Sequence, residues 1–138
     1  MNSQKFIVGG IAGGIVFFLL GYVFYGLLLK DFFASNGITA NMDTMVWWAM
    51  IVGNLIAGFL IAYILGKANV SSAGAGAGVG FVVGLLTNGS FDLVNYGVNH
   101  NMTLTAVFAD IFVGAVIAAI TGAVIGGVMR SKKAMATA

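Results

Sequence analysis

Four apolar segments dominate the sequence, and each is long enough to cross a lipid bilayer. They cover residues 6–29, 45–65, 73–96 and 104–129. A membrane-spanning helix needs about 20 apolar residues, because the hydrocarbon core is about 30 Å thick and a helix rises 1.5 Å per residue. Charged residues make up only 7% of the chain, against roughly a quarter in soluble domains. We therefore predict an all-α integral membrane protein, with one four-helix transmembrane domain over residues 1–138 and a short basic tail at 130–138.

The residue composition argues against several classes of function. The chain has no cysteine and one histidine, His100, in a predicted loop, so neither a thiolate site nor a metal-ligand cluster is expected. Its six Lys and Arg residues form no basic stripe of the kind that binds nucleic acid. No nucleophile–base pair is recognisable either. We expect no metal, no cofactor, no nucleic-acid partner and no enzymatic activity.

Small residues recur at every fourth position in the apolar segments. This spacing lets two helix backbones approach closely. We predict two helical hairpins, formed by segments one and two and by segments three and four, with glycine-rich close packing. The glycines expected at the helix contacts are Gly10, Gly14, Gly58, Gly76, Gly80, Gly84, Gly114, Gly122 and Gly126.

The two halves of the chain share a faint pattern at a shift of 56 positions. In this pattern Asn54, Gly58, Ala62 and Gly66 match Asp110, Gly114, Ala118 and Gly122. Two similar hairpins related by an axis along the membrane normal would produce such a match. Small-xxx-small spacing is also common in membrane helices without any repeat, so both interpretations stay open.

One carboxylate, Asp110, lies inside the fourth segment, where an ionisable residue is costly and by default marks a functional site. Folding segments three and four about the loop near Asn99 brings Asp92 to within about 5 Å of Asp110 in depth. Two neighbouring carboxylates do not both ionise easily in a medium of low dielectric constant. The pair is therefore either a proton or cation site, or a structural lock in which Asp110 is protonated or hydrogen-bonded to Asn88 or a tyrosine.

Other polar residues complete the candidate site. Asn88 and Asn95 share a face with Asp92 if segment three is one helix, which we favour over a break at Asn88-Gly89-Ser90. Asn54 lies near the middle of segment two, where it either joins two helices or lines a polar cavity. Tyr25 lies near the end of segment one.

The basic residues predict the orientation in the membrane. With four spans, the termini and the middle loop share one side, which holds Lys5, Lys67, Arg130, Lys132 and Lys133, whereas the other side holds Lys30 alone. The positive-inside rule then puts both termini in the cytoplasm, and we expect the cytoplasmic (inner) membrane of a bacterium. Trp47 and Trp48 fit an aromatic belt at the opposite interface. Residues 30–44 are predicted to form a polar connection with a turn at Asn36-Gly37, and Asp43-Thr44 is the predicted N-cap of segment two.

Parts of the chain resemble a known family. The stretch GYVFYGLLL at 21–29, followed by Phe32-Phe33, is similar to the end of the first helix in small bacterial four-helix membrane proteins catalogued as domain of unknown function 1761. Asn95-Tyr96 and the stretch GAVIG at 122–126 are also similar to that family. The resemblance implies a four-span bundle and supplies no activity.

Two functions are compatible with these patterns. In the first, which we prefer at this stage, the bundle self-associates into a homo-oligomer or serves as an accessory subunit of a larger membrane protein complex, since its small-residue faces exceed what four helices need among themselves. In the second, it is a small transporter or channel for protons, cations or a polar metabolite that uses Asp92, Asp110, Asn54 and Tyr25. The lipid bilayer is a partner in both.

Overall fold

The helices match the predicted spans closely. A computed structural model of the chain describes residues 2–37 and 43–130. Its elements are α1 (Ser3–Gly21), a π-helical segment (Tyr22–Leu28), α2 (Lys30–Ser35), α3 (Trp47–Lys67), α4 (Ala73–Asn99) and α5 (Leu104–Val128). Since α1 continues into the π segment, four helices are long and apolar enough to span a membrane. The prediction of an all-α, four-span membrane protein is confirmed.

Helix α5 is the central helix of the bundle. In its most apolar stretch 56% of the residues are buried, against 17–22% in the other spans. One side of α5 packs on α4, and other sides pack on α1 and α3. The core at this junction contains Ile61 and Leu65 of α3 together with Ala118 and Ile125 of α5. The other three spans therefore present most of their surface to the surrounding lipid.

The helices pair as two antiparallel hairpins, α1 with α3 and α4 with α5, as predicted. Glycine allows the close approach in both. A Cβ atom added to Gly14 would lie 2.8 Å from the Cα of Leu55 on α3, and one added to Gly84 would lie 2.9 Å from the Cα of Ala115 on α5. Real Cβ atoms do not come so close to backbone, so these positions exclude any larger residue.

All the glycines predicted at helix contacts face atoms of a neighbouring helix at such short range. They are Gly10, Gly14, Gly58, Gly76, Gly80, Gly84, Gly114, Gly122 and Gly126. Another set has no atom within 4 Å of the added Cβ, namely Gly21, Gly53, Gly74, Gly78, Gly97 and Gly127. The glycines of this chain therefore divide into packing positions and outward positions.

Helix α4 is continuous from Ala73 to Asn99, so segment three does not break at Asn88-Gly89-Ser90. Its polar side chains bond to their own helix: Thr87 Oγ1 donates to the carbonyl of Val83 at 2.8 Å, and Asn88 Nδ2 donates to the carbonyl of Gly84 at 2.7 Å. The helix satisfies these groups internally, which removes the reason for a break.

The predicted N-cap of segment two is wrong. Helix α3 begins at Trp47, and its N-cap residue is Val46, in extended conformation and without a side-chain hydrogen bond. A capping side chain must come directly before the first helical turn, and Met45 and Val46 separate Asp43-Thr44 from it. The N-caps of α4 and α5 are regular, since Ser72 and Thr103 accept hydrogen bonds from Ala75 N and Ala106 N.

Two elements were not expected from the sequence, the π segment and α2. The π segment ends with a hydrogen bond from Leu29 N to the carbonyl of Phe24, five residues back, at 2.8 Å. Helix α2 forms within the predicted polar connection at 30–44, and it buries Phe33 to 2% exposure. The predicted turn at Asn36-Gly37 is present, with Gly37 at a φ of +97° that favours glycine.

The two ends of the bundle differ in charge. Lys5, Lys67 and Arg130 lie at one end, which we call the basic end, and the side-chain amine of Lys5 donates to the carbonyl of Arg130 at 3.4 Å. Lys132 and Lys133 lie outside the described residues. The opposite end, which we call the acidic end, holds Asp31, Asp43, one basic residue, Lys30, and the α4–α5 loop.

Candidate functional site

Three side chains from three elements meet below the acidic end, and we call them the acid cluster: Tyr25, Asp92 and Asp110. The hydroxyl of Tyr25 donates a hydrogen bond to Oδ1 of Asp110. The carboxyl groups of Asp92 and Asp110 lie close enough to interact electrostatically across the α4–α5 contact. Asp92 is on α4 and Asp110 on α5, each about 10 Å along its helix from the connecting loop at 1.5 Å per residue. The structure thus brings the two predicted acids together.

A hydrogen bond between the two carboxyl groups would require a proton. An ionised carboxylate offers only acceptors, so two carboxyl groups can bond to each other only when one of them is protonated. Asp110 also accepts a hydrogen bond from Tyr25. A direct bond between Asp92 and Asp110 would therefore need one proton shared by the two carboxyl groups.

Asp92 is the most enclosed member of the cluster. Its side chain is 5% exposed, and among the described residues its Oδ2 atom has no hydrogen-bond partner. A buried polar atom that lacks a partner costs about 1–3 kcal/mol. The cluster therefore keeps one acceptor available for a proton, a water molecule or a cation.

The π segment positions Tyr25. In a π-helix each turn holds more residues than in an α-helix, and such turns are frequent at functional sites. One added residue rotates the following side chains by about 100°, because an α-helix has 3.6 residues per turn. Tyr25 lies within the wide turn at Tyr22–Leu28, and from there its hydroxyl reaches Asp110.

Helix α2 contacts the acid cluster through Tyr25, on the side of the acidic end. The rings of Phe33 and Tyr25 lie 5.2 Å apart, centre to centre, and Phe33 is almost fully buried. The ring of Phe32 packs edge-on against Phe33. An aromatic residue thus separates the tyrosine from the water at this end of the bundle. Sequence reasoning did not single out Phe33 for this role, and only the Asn36-Gly37 turn signalled structure in this connection.

The predicted asparagines occupy three different places. Asn88 lies next to α5, with its side-chain Cγ 2.5 Å from a Cβ added at Gly114, about one turn from Asp92. Asn95 accepts from Asn99 at 2.6 Å on the exposed flank of α4. Asn54 donates to the carbonyl of Met50 on its own helix at 2.6 Å. Within the described part of the chain, no hydrogen bond joins Asn54 or Asn95 to the acid cluster. The structure thus assembles Tyr25, Asp92 and Asp110, with Asn88 nearby.

Two surface features lie near the acidic end. Trp47 and Trp48 are 45% and 71% exposed at the start of α3, where an interfacial belt is predicted. A groove of about 690 Å³ runs along the outward face of α4, and its described lining residues are Leu86, Thr87, Ser90, Phe91, Val94, Asn95, Val98 and Asn99.

Comparison with known proteins identifies the family. A family model described as "Predicted membrane protein (DUF2177)" matches residues 6–127, so the chain belongs to that family and is an integral membrane protein. The resemblance to domain of unknown function 1761 is wrong. It depended on aromatic and small-residue motifs that recur in membrane helices of many proteins. Neither the curated proteins nor the solved structures yielded a match.

Proposed function

We propose that this member of the DUF2177 family is a small transporter or channel for protons or cations, with the acid cluster as its ion-binding site. One observation carries the proposal: Asp92 is 5% exposed beside Asp110 and keeps an oxygen atom without a partner. A membrane-embedded carboxylate is costly, and such residues usually mark ion or proton pathways. The proposal assigns no catalytic chemistry to the chain.

The charge balance of the spans supports exchange of cations at this site. If the shared proton leaves, two negative charges remain side by side in a medium of low dielectric constant, which is unfavourable. Within the described spans the basic residues are Lys5 and Lys67, both at the basic end. Lys30 follows the first span at the acidic end, but no basic residue within the described spans lies at the depth of the pair, so another proton or a cation would replace the one that leaves.

A second buried polar atom supports a route along α5. Thr121 is fully buried, and among the described residues its hydroxyl oxygen has no partner. It lies about 16 Å beyond Asp110 toward the basic end, at 1.5 Å per residue. Glycine and alanine occupy much of the helix face between them. One end of such a route would then carry the unpaired oxygen of Asp92 on α4, and the other that of Thr121 on α5.

The test is ion flux in vesicles that contain only this protein. Purified protein is reconstituted with a pH-sensitive dye inside, and a potassium gradient with valinomycin drives protons. We expect flux well above that of empty vesicles, and at least a tenfold loss in Asp110→Asn and in Asp92→Asn. Asp31→Asn is the matched control, because it removes the same charge from an exposed position on α2.

Flux that is unchanged by Asp110→Asn would contradict an ion-binding role for the cluster. The same assay with sodium and potassium gradients distinguishes a proton site from a site for a larger cation. If none of these ions moves faster than in empty vesicles, the transport proposal is rejected, whatever the variants do.

The outward face of α4 favours a second candidate function, an accessory or self-associating subunit. The packing glycines are already used inside the chain, so they no longer argue for a partner. The α4 groove does argue for a partner, because Ser90 is exposed on it beside Phe91 and Val94. In addition, α4 has the lowest mean hydropathy of the four spans, 1.4. Polar groups in contact with lipid are unfavourable, and another helix would cover them.

Native mass spectrometry of the protein, extracted gently from its own membranes, tests this second candidate. A fixed set of larger partners, or a homo-oligomer, would support it if Ser90→Leu on the groove weakens the assembly. Val82→Leu is the control, because Val82 is exposed on α4 outside the groove. A monomer under all mild conditions would exclude it.

A further inference from the structure

We propose that α2 is a lid that controls access to the acid cluster from the acidic end, and that the π segment is its hinge. The inference rests on the proposed function for the identity of what passes. The contacts of Phe33, Asn36 and Tyr25 support the lid, because a connection that only joined two spans would not need all three.

The inner surface of the lid is Phe33. Its ring lies against the ring of Tyr25, with 5.2 Å between centres, and the side chain is 2% exposed. Tyr25 in turn donates to Asp110. Moving α2 outward would therefore uncover the tyrosine and, behind it, the acid pair. The other residues of α2 are exposed, so Phe33 is the one buried side chain of this helix.

The far end of the lid is latched to the start of α5. The hydroxyl of Thr103 donates to Oδ1 of Asn36 at 2.8 Å, and Thr103 N donates to the Asn36 carbonyl at 3.2 Å. Both residues of this latch are at the surface. Surface hydrogen bonds open locally at low cost compared with core contacts. Thr103 also caps α5, the helix that carries Asp110, so the latch connects the lid to the site directly.

The hinge lies between Tyr25 and the lid. The chain leaves the π segment at Leu29, with a φ of −115° and a ψ of 13°, and enters α2 at the next residue. A shift of this segment from π- to α-helical bonding would rotate the side chains beyond it by about 100°. Tyr25 would move away from Asp110 while α2 swings with the chain that follows. The release of the acid pair and the opening of the lid are thus one movement.

Cross-linking of the latch tests the lid, and the absence of native cysteine makes the design clean. Asn36→Cys/Thr103→Cys is oxidised to a disulfide and then treated with a water-soluble carbodiimide and glycinamide. This reagent couples to protonated carboxyl groups that water can reach. Peptide mass spectrometry measures labelling of Asp92 and Asp110, with the exposed Asp31 as the internal standard.

We expect the cross-link to slow labelling of Asp92 and Asp110 at least tenfold while Asp31 is labelled as before. Dithiothreitol should restore the original rate. The single variants Asn36→Cys and Thr103→Cys control for the substitutions themselves, since Thr103→Cys also alters the cap of α5. Equal labelling of the acid pair with and without the disulfide would overturn the lid.

A second variant needs no cross-link. Asn36→Ala removes the side-chain bond of the latch and should speed labelling of the acid pair roughly fivefold, as expected for loss of one hydrogen bond. An unchanged rate would also overturn the proposal. These readouts do not depend on transport. If the cross-link slows labelling of the acid pair but no ion moves in vesicles, the lid is supported and the transport function is rejected.

Discussion

At the scale of single residues, the hydroxyl of Tyr25 is the group that most distinguishes this bundle from a simple packing unit. It comes from a π turn, it is shielded by Phe33, and it donates to a carboxyl group inside the membrane. The π turn needs special backbone geometry, and a carboxyl group inside the membrane is costly. A bundle that required only close packing could use phenylalanine at this position.

We predict that Tyr25→Phe lowers the free energy of unfolding by about 1 kcal/mol, because it removes one buried hydrogen bond and almost no volume. Tyr22→Phe is the matched control. Tyr22 lies in the same π segment but is 47% exposed, so its change should stay within about 0.5 kcal/mol. Unfolding in mixed micelles, followed by circular dichroism, measures both. Equal effects of the two variants would show that the Tyr25 hydroxyl contributes nothing specific.

At the scale of elements, the glycine stripes determine how closely the hairpins pack. Gly80 on α4 faces the backbone of Ala118 and Gly122 on α5, whereas Gly78, two residues earlier, faces open space. The same helix therefore offers a packed and an unpacked glycine with nearly identical local sequence. This contrast separates tertiary packing from helix propensity.

Gly80→Ala should destabilise the protein by about 2 kcal/mol, since an added methyl group must push two backbones apart. Gly78→Ala should be neutral or stabilise by up to about 1 kcal/mol, because alanine is the better helix former. The same unfolding titration compares them, and Gly58→Ala against Gly53→Ala repeats the comparison on α3. If Gly80→Ala were harmless, the close approach of α4 and α5 would be in error.

The four spanning helices could be predicted from the sequence, but the π turn and the short helix α2 beside the acid cluster could not. Four long apolar runs predict four spans, and the loop length between α4 and α5 predicts that Asp92 and Asp110 lie at similar depth. The π turn has no sequence signal, because its bonding depends on what Tyr25 and Phe33 contact. Helix α2 has six residues, too few for a periodic pattern. Asn54 was included as a candidate on depth alone, and depth does not say which neighbour a side chain meets.

At the scale of the whole molecule, the central helix α5 takes part in the acid cluster, in the latch and in the packing of α4. It carries Asp110, its start anchors the latch at Thr103, and its small residues receive α4. Its far end lies beside Lys5 and Arg130. One helix, the most buried of the bundle, thus contributes to the acid cluster, to the latch of the lid and to the basic end.

The orientation of the molecule decides which solution the lid faces, and single cysteines can determine it. We predict that Ser35→Cys, at the acidic end, reacts with a membrane-impermeant maleimide in intact cells, because five basic residues at or beyond the other end favour the cytoplasm there. Ala68→Cys, in the turn after α3, should react only after the membrane is permeabilised. Both residues are exposed in the bundle, so a difference in labelling reports sidedness and not burial. The reverse pattern would mean that the acid cluster opens toward the cytoplasm, and the proton gradient would then act on it from the basic end.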